Sequence, residues 1–291
     1  MKIAVHGKVF GSEISEFVQH VFNQLDKLGW EIIASESYLP LLQKNGIRHI
    51  PSESYPVHHL PEDVEMLFSI GGDGTLLESV THVGRYEIPI LGINTGRLGF
   101  LSTTARDDFD DALQKISNGE YSYDMRTLLE LDSEEHLFDG LNYAMNDVAI
   151  MKKDTTSMIT VHAYINDEFL NSYWADGIII STPTGSTGYS ISCGGPVVVP
   201  GSHNFTITPV SPHNLTVRPM VVPDESVLKF TIEGRSKTFL VSLDSRYESV
   251  DDSVKLTIKK ADFRAKLVKI KGYSYFKTLR QKLNWGLDAR N

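Results

Sequence analysis

The pattern of apolar and polar positions changes character once along the chain. Over the first 120 residues, short apolar runs alternate with stretches of helical spacing. Residues 2–6 read as a strand, and residues 12–28 carry Phe17, Val18, Val21, Phe22, Leu25 and Leu28 at helical intervals, with Ser12 placed to cap them. A second strand is predicted at 30–34, a short helix at 39–43, a third strand at 64–70 and a fourth at 88–93. Between the last two, a helix is expected from Leu76, capped by Thr75. Strands alternating with helices imply a parallel sheet covered on both faces, with ligands gathering at the carboxyl ends of the strands. After about Glu120 the helical period almost disappears. Residues 128–131, 146–151, 158–165, 173–180, 206–209, 227–232, 237–243, 254–259 and 265–270 read as strands, which predicts a second, β-rich domain. Residues 276–285 read as a short helix that folds back on the first domain, so the expected division is 1–120, 121–275 and 276–291.

Composition narrows the class. A chain of 291 residues with 41% hydrophobic content can build a sizeable core. No apolar run approaches the roughly 20 residues that cross a bilayer, and Met1-Lys2-Ile3-Ala4-Val5 enters a strand rather than a signal peptide. The single Cys193 excludes an internal disulfide framework and a cysteine metal site. These features lead to the expectation of a cytoplasmic protein with no membrane partner. A net charge of −9 argues against a nucleic-acid partner, which would need a basic face. A phosphate substrate would require helix ends or Mg²⁺ to overcome that charge locally.

Chemistry concentrates in two stretches. In Phe68-Ser69-Ile70-Gly71-Gly72-Asp73-Gly74-Thr75, an apolar strand meets a glycine turn and a helix start. Free backbone N–H groups and the positive helix end make this an anion site, with Gly71, Gly72, Gly74 and Thr75 as the phosphate loop. An acid here is out of place unless it holds a metal ion or accepts a proton from a substrate hydroxyl, which makes Asp73 the catalytic candidate. The plain alternative is an Asp-Gly turn that only caps a helix. Asn94, at the end of the next strand, should bring a second glycine-rich turn to the same crevice.

The second stretch runs from Asp176 to Ser190. Pro183 fixes its backbone while Gly185 and Gly188 open it, so that the hydroxyls of Thr184, Ser186 and Thr187 are expected to turn toward one point. Tyr189 offers a flat face suited to an adenine or a sugar. The alternative is a loop whose hydroxyls bond one another. Asn146-Asp147 is weaker evidence, because neighbouring side chains in a strand point to opposite faces. His58 and His59 read as surface histidines, and no metal site built from protein side chains is expected.

Gly71-Gly72-Asp73-Gly74-Thr75 resembles the signature shared by NAD kinases, diacylglycerol and sphingosine kinases and, more distantly, phosphofructokinases. Asn94-Thr95-Gly96-Arg97-Leu98-Gly99-Phe100-Leu101 and Thr182-Pro183-Thr184-Gly185-Ser186-Thr187-Gly188-Tyr189 look specifically like NAD kinase, as do Ser211-Pro212-His213 with Arg218-Pro219 and Lys282-Leu283-Asn284-Trp285-Gly286. The resemblance implies a Rossmann-like α/β N-terminal domain and an all-β, sandwich-like C-terminal domain. It implies a homodimer or homotetramer that phosphorylates the adenosine ribose 2′-hydroxyl of NAD, with Mg²⁺ delivered on ATP and polyphosphate left open as a second donor.

In that picture Asp73 accepts the proton. Gly74, Asn146, Asp147 and Asp176 line the dinucleotide site, and Thr187, Gly188, Tyr189, Ser190, Ile191 and Ser192 hold the adenosine, with Thr184 and Trp174 beside them. The chain departs from the family at Asp147, where Glu is usual, at Gly188, where Ala is usual, at Trp174, where some relatives carry Arg, and at Arg246, where Gln is common. Two other readings of the signature are a lipid kinase and a dinucleotide sensor without turnover.

Overall fold

The computed structural model describes residues 1–96, 99–154, 157–272 and 274–285. The chain divides into two compact units, residues 1–125 with 265–291, and residues 126–264. The expected boundaries at 120 and 275 thus fall at 125 and 264, inside long strands.

The first unit alternates strand and helix: β1 (Lys2–Gly7), α1 (Ser12–Lys27), β2 (Glu31–Ser35), α2 (Leu39–Lys44), β3 (Ser54–Tyr55), β4 (Met66–Gly71), α3 (Asp73–Val83), β5 (Ile90–Asn94) and α4 (Phe109–Ser117). The strands are parallel in the order β3-β2-β1-β4-β5. Buried apolar runs such as Ile3-Ala4-Val5 and Met66-Leu67-Phe68 fill strands covered on both faces, where a continuous rather than alternating pattern is required. The α1 side chains Val18, Val21, Phe22 and Leu25 pack on this sheet with Phe68 and Ile93. The chain proceeds to one side of β1 and then returns to its other side, so the order reverses between β1 and β4. In open α/β sheets that reversal opens a crevice at the carboxyl ends of the two strands.

The second unit contains β7 (Tyr143–Ala144), β8 (Asp147–Lys152), β9 (Ile159–Ile165), β10 (Glu168–Ala175), β11 (Gly177–Ser181), a short helix α5 (Tyr189–Ser192), β12 (Asn204–Val210), β13 (Met220–Pro223), β14 (Leu228–Glu233), β15 (Thr238–Leu243) and β16 (Arg246–Asp251). The chain passes between units within β6 (Tyr121–Asp132) and β17 (Lys255–Ile270), and ends in α6 (Tyr275–Leu283) of the first unit. One antiparallel sheet runs β13-β12-β11-β8-β15-β16. A second joins β10, β9, β14 and the first part of β17. Side chains of both sheets, among them Ile150, Ile178, Phe205 and Phe239 against Val161, Phe230 and Ile258, form one apolar core, which makes this unit a sandwich. β14 shows the alternation such a layer demands: Leu228, Phe230 and Ile232 are buried, Lys229 and Glu233 exposed.

Several elements differ from expectation for local reasons. Helix α3 begins at Asp73 with Gly72 as its N-cap, so Thr75 lies inside the first turn rather than capping it. Similarly, Ser12 is the first residue of α1 and Gly11 its cap. The single strand expected at 173–180 is two, broken at Asp176, because the chain there leaves the sheet of β9 and β10 and enters that of β8, β11 and β12. Conversely, 254–259 and 265–270 belong to one continuous strand, with no glycine or proline between them to break it. The edge strand β16, Arg-Tyr-Glu-Ser-Val-Asp, is too polar to stand out by hydrophobicity.

Candidate active site

The first unit places the glycine turn at the reversal point. β4 ends at Gly71 directly opposite Asn94 of β5, so the two glycine-rich turns leave the sheet side by side, and the Thr95 N–H donates to the Gly71 carbonyl. Lys8, Phe10, Gly71, Gly72, Thr75 and Thr95 line a small cavity of about 120 Å³ here. Its floor is the amino end of α3, whose N-cap is a glycine with no side chain to accept the first free amides.

The reason for the glycines separates two explanations. Neither Gly72 nor Gly74 has a positive φ, and a Cβ on either would meet nothing within 4 Å. The fold therefore tolerates a side chain at both positions, which leaves close approach of another molecule as the requirement for glycine. Gly71 differs, since its Cβ would collide with the Thr75 side chain at 2.2 Å.

Asp73 is seated on three consecutive amides. Phe100 N–H donates to Oδ2 at 2.7 Å, while Leu101 and Ser102 N–H donate to Oδ1 at 3.1 and 2.9 Å. Gly99 makes this seat possible, because a Cβ there would stand 1.9 Å from Oδ1. A carboxylate oxygen has about two acceptor positions. Oδ1 has used both and Oδ2 retains one, so the half-buried carboxylate presents a single fixed acceptor. Asn94 stays inside the fold, with Oδ1 taking the Gly96 N–H at 2.7 Å. Arg97 and Leu98 of this second motif lie outside the described residues, as does Gly286 of the C-terminal motif.

The second unit gathers most of its candidates around Gly188. Asp147 Oδ2 and Asn146 Nδ2 lie 3.6 and 3.7 Å from the position of a Cβ on Gly188. Both side chains reach one place because β8 starts at Asp147; Asn146 precedes it in a bend, where strand alternation does not apply. Asp147 and Asp176 both bear electrostatically on the Tyr189 hydroxyl, and the Tyr189 ring is exposed. Asp176 sits in the break between β10 and β11, paired with Lys152 at 2.5 Å. Trp174 is half exposed, with its ring 4.3 Å from that of His213.

The hydroxyls do not converge as expected. Ser186 Oγ donates to the Pro183 and Val198 carbonyls and accepts from Val198 N–H, Thr187 Oγ1 donates to the Thr184 carbonyl, and Thr184 Oγ1 accepts from Arg126. Ser190 Oγ is tied to Thr208 Oγ1 at 2.9 Å, inside the fold. The loop's hydroxyls shape the loop, and its outer surface is Tyr189 and Ser192, with Thr187, Gly188 and Ile191 half-buried. Gly185 allows the close approach of this loop to Asn146, whose carbonyl would lie 2.0 Å from a Cβ there.

One contributor escaped the sequence reading. Asp244, in the turn between β15 and β16 at φ 54°, accepts N–H bonds from Met145, Asn146 and Asp147. Burial, and then the neighbouring Asp244 charge, push the Asp147 carboxyl up to about 7. Burial raises Asp244 as well, against its three amides and Arg246. The three amides and Arg246 favour the charged form of Asp244, while burial beside it favours the protonated form of Asp147. Arg246 is structural: its guanidinium donates to the Leu141 and Tyr143 carbonyls and lies over the Phe138 and Tyr143 rings. An Asp in a left-handed hairpin turn was the available signal for Asp244.

Comparison with known proteins bears on all of this. The model of the ATP-NAD kinase N-terminal domain matches residues 13–121, and that of the ATP-NAD kinase C-terminal domain matches residues 145–270. NAD kinase of Cytophaga hutchinsonii is 52% identical and that of Flavobacterium johnsoniae 46% identical, each over the full length of both chains. Among solved structures, an NAD kinase from Archaeoglobus fulgidus in complex with ATP superposes with a TM-score of 0.76 at 28% identity, covering 98% of this chain and 99% of the other. Yeast NADH kinase complexed with NADH shares the fold, with a TM-score of 0.85 at 21% identity, covering 99% and 88%.

Proposed function

The chain belongs to the ATP-NAD kinase family, and on that premise we propose which of its residues carry the reaction. It is an ATP-dependent phosphotransferase acting on NAD. The full-length relatives support that activity, and neither a lipid kinase nor a sensor without turnover.

In our reading the acceptor is the 2′-hydroxyl of the adenosine ribose and the product is NADP. The free position on Asp73 Oδ2 accepts the hydroxyl proton as the ribose oxygen bonds to the γ-phosphorus and the bond to ADP breaks. The three amides that grip Asp73 fix the direction of that position. Gly71, Gly72, Gly74 and Thr75 hold phosphate oxygens at the amino end of α3, with Lys8 as a nearby cation.

In the second unit, Asn146, Asp147, Asp176, Gly188 and Tyr189 take the dinucleotide, Tyr189 stacking on a base and Asp147 donating its O–H rather than repelling a phosphate. Ser190, Thr184 and Thr187 support the loop from within, while Ile191, Ser192 and Trp174 border it. The divalent ion enters on ATP, as Mg²⁺ in our reading. Asp73 has one acceptor position left, and the described residues place no cluster of three His, Cys, Asp or Glu donors around it. We extend the reading to a cytoplasmic homo-oligomer, which sedimentation analysis and cell fractionation test.

The observation that carries the proposal is the seat of Asp73 beside glycines the fold itself does not need. The test is incubation of the pure chain with NAD, ATP and Mg²⁺, with NADP as the expected product. Absence of NADP with every phosphate donor overturns it.

A further inference from the structure

Helix α3 carries a second set of functional groups that the phosphate chemistry does not use. Glu78 and His82 are four residues apart on one face of α3, and β1 of the same sheet presents His6 to them. His6 and His82 are buried, with 0% and 1% exposure. Neither ring nitrogen of His82 has a hydrogen-bond partner, nor does His6 Nε2. The two rings lie 4.2 Å apart, and His6 Nε2 is 3.7 Å from Glu78 Oε1, too long for a hydrogen bond. Donor atoms of all three residues fall within 4.8 Å of one another, the only such cluster of three among the described residues.

We propose that His6, Glu78 and His82 form a binding site for one divalent transition ion of the Zn²⁺ class. Two imidazoles and a carboxylate are a ligand set that such ions take, with a fourth position open to water. The second shell is in place. Ser35 Oγ lies 2.8 Å from His6 Nδ1, and in the tautomer whose Nδ1–H donates to that hydroxyl the Nε2 lone pair faces Glu78. Without an ion, burial of three unpartnered ring nitrogens is an uncompensated cost.

Tetrahedral coordination at about 2.0–2.1 Å puts donors roughly 3.3 Å apart, so the cluster must contract by about an ångström. Half-buried Glu78 has the freedom to do this. Its other oxygen is held by Lys8 Nζ at 2.8 Å, a cation that competes with the ion. No local pattern marks the site, because His6 lies more than 70 residues from its partners.

The experiment uses the full chain stripped with chelator and titrated with Co²⁺ without nucleotide, reading visible d–d absorption, followed by Zn²⁺ displacement. One ion per chain is expected. Glu78→Gln, which keeps shape and removes the charge, should weaken binding at least ~10-fold, and His82→Gln should do the same. Lys8→Gln should tighten it, an opposite sign that damage to the fold would not produce. Circular dichroism confirms that each variant is folded. Absence of saturable binding, or binding that Glu78→Gln and His82→Gln leave unchanged, overturns the site.

Discussion

Asp73 in the first unit and Asp244 in the second each accept three N–H bonds from consecutive residues, 100–102 in one case and 145–147 in the other. The hydrogen-bond pattern is the same, yet the two carboxylates have different work. Asp73 stands at the amino end of a helix beside glycines that face open space, and it offers an oxygen of its own. Asp244 turns its acceptors inward, and the amides it holds belong to Asn146 and Asp147, whose side chains meet at Gly188. In the proposed reading one acid is aimed at a substrate and the other fixes the residues that are. What lies beyond the amides, rather than the motif itself, decides the role.

Removing Asp244 should break the equivalence most severely. Asp244→Ala leaves three amides without an acceptor, at about 1–3 kcal/mol each, so a loss of several kcal/mol is expected in urea unfolding. A loss below about 1 kcal/mol would show that water replaces the carboxylate and that Asp244 positions nothing. Next comes Asp73→Asn, for which turnover should fall roughly 10²-fold or more, about 2.7 kcal/mol. Asn is not silent here, because its NH₂ group would face the Phe100 N–H or displace the other two amides. Stability should therefore fall by about 1 kcal/mol as well. Near-normal turnover would remove Asp73 from the chemistry.

The two units also respond to pH with opposite sign. Asp147 has a folded pKa of about 7, above its ordinary value, so between about pH 4 and 7 the folded state holds a proton the unfolded chain has lost. Stability from this group falls as pH rises, by up to about 1.4 kcal/mol per unit. His6 and His82 are depressed, so below about 6.5 the unfolded chain binds protons that the folded one refuses, and their share of stability rises with pH up to about 6.5. The wild-type profile is the sum of these slopes, and difference curves separate them. Relative to wild type, Asp147→Asn should gain stability from pH 5 to 7, and His82→Gln should lose its advantage at pH 4 over the same rise. Flat difference curves would mean that these groups titrate alike in both states.

The smallest effect is the most diagnostic for the glycine loop. Gly74→Ala lies in the first turn of α3 with open space around it and should raise stability by about 0.5–1 kcal/mol while lowering turnover. Unchanged turnover in the stabilised variant would return the loop to a helix cap and nothing more.

How much of this was legible depends on sequence distance. The Gly71–Thr75 turn, the strand before it and the helix after it are local, and glycine, apolar run and helix start announce themselves within ten residues. The same holds for the alternation of β14 and the helical spacing of α1. The hydroxyl-rich loop was legible as a loop, but the direction of each hydroxyl was not, because Ser186 is satisfied by Val198 and Thr184 by Arg126. Asn146 and Asp147 looked opposed only under the assumption that the strand already included both.

From the sequence alone came the parallel α/β half, the β-rich half, the glycine turn proposed to hold phosphate and the acid within it, since each follows from local periodicity and backbone chemistry. Only the tertiary structure could show that residues 100–102 grip Asp73, that Asp244 holds the strand start at Asp147, and that His6 stands over Glu78 and His82. These are contacts between residues 27 to 97 positions apart, brought together by the pairing order of strands. A carboxylate's role depends on which donors and which open space surround it, and those are properties of the packed chain.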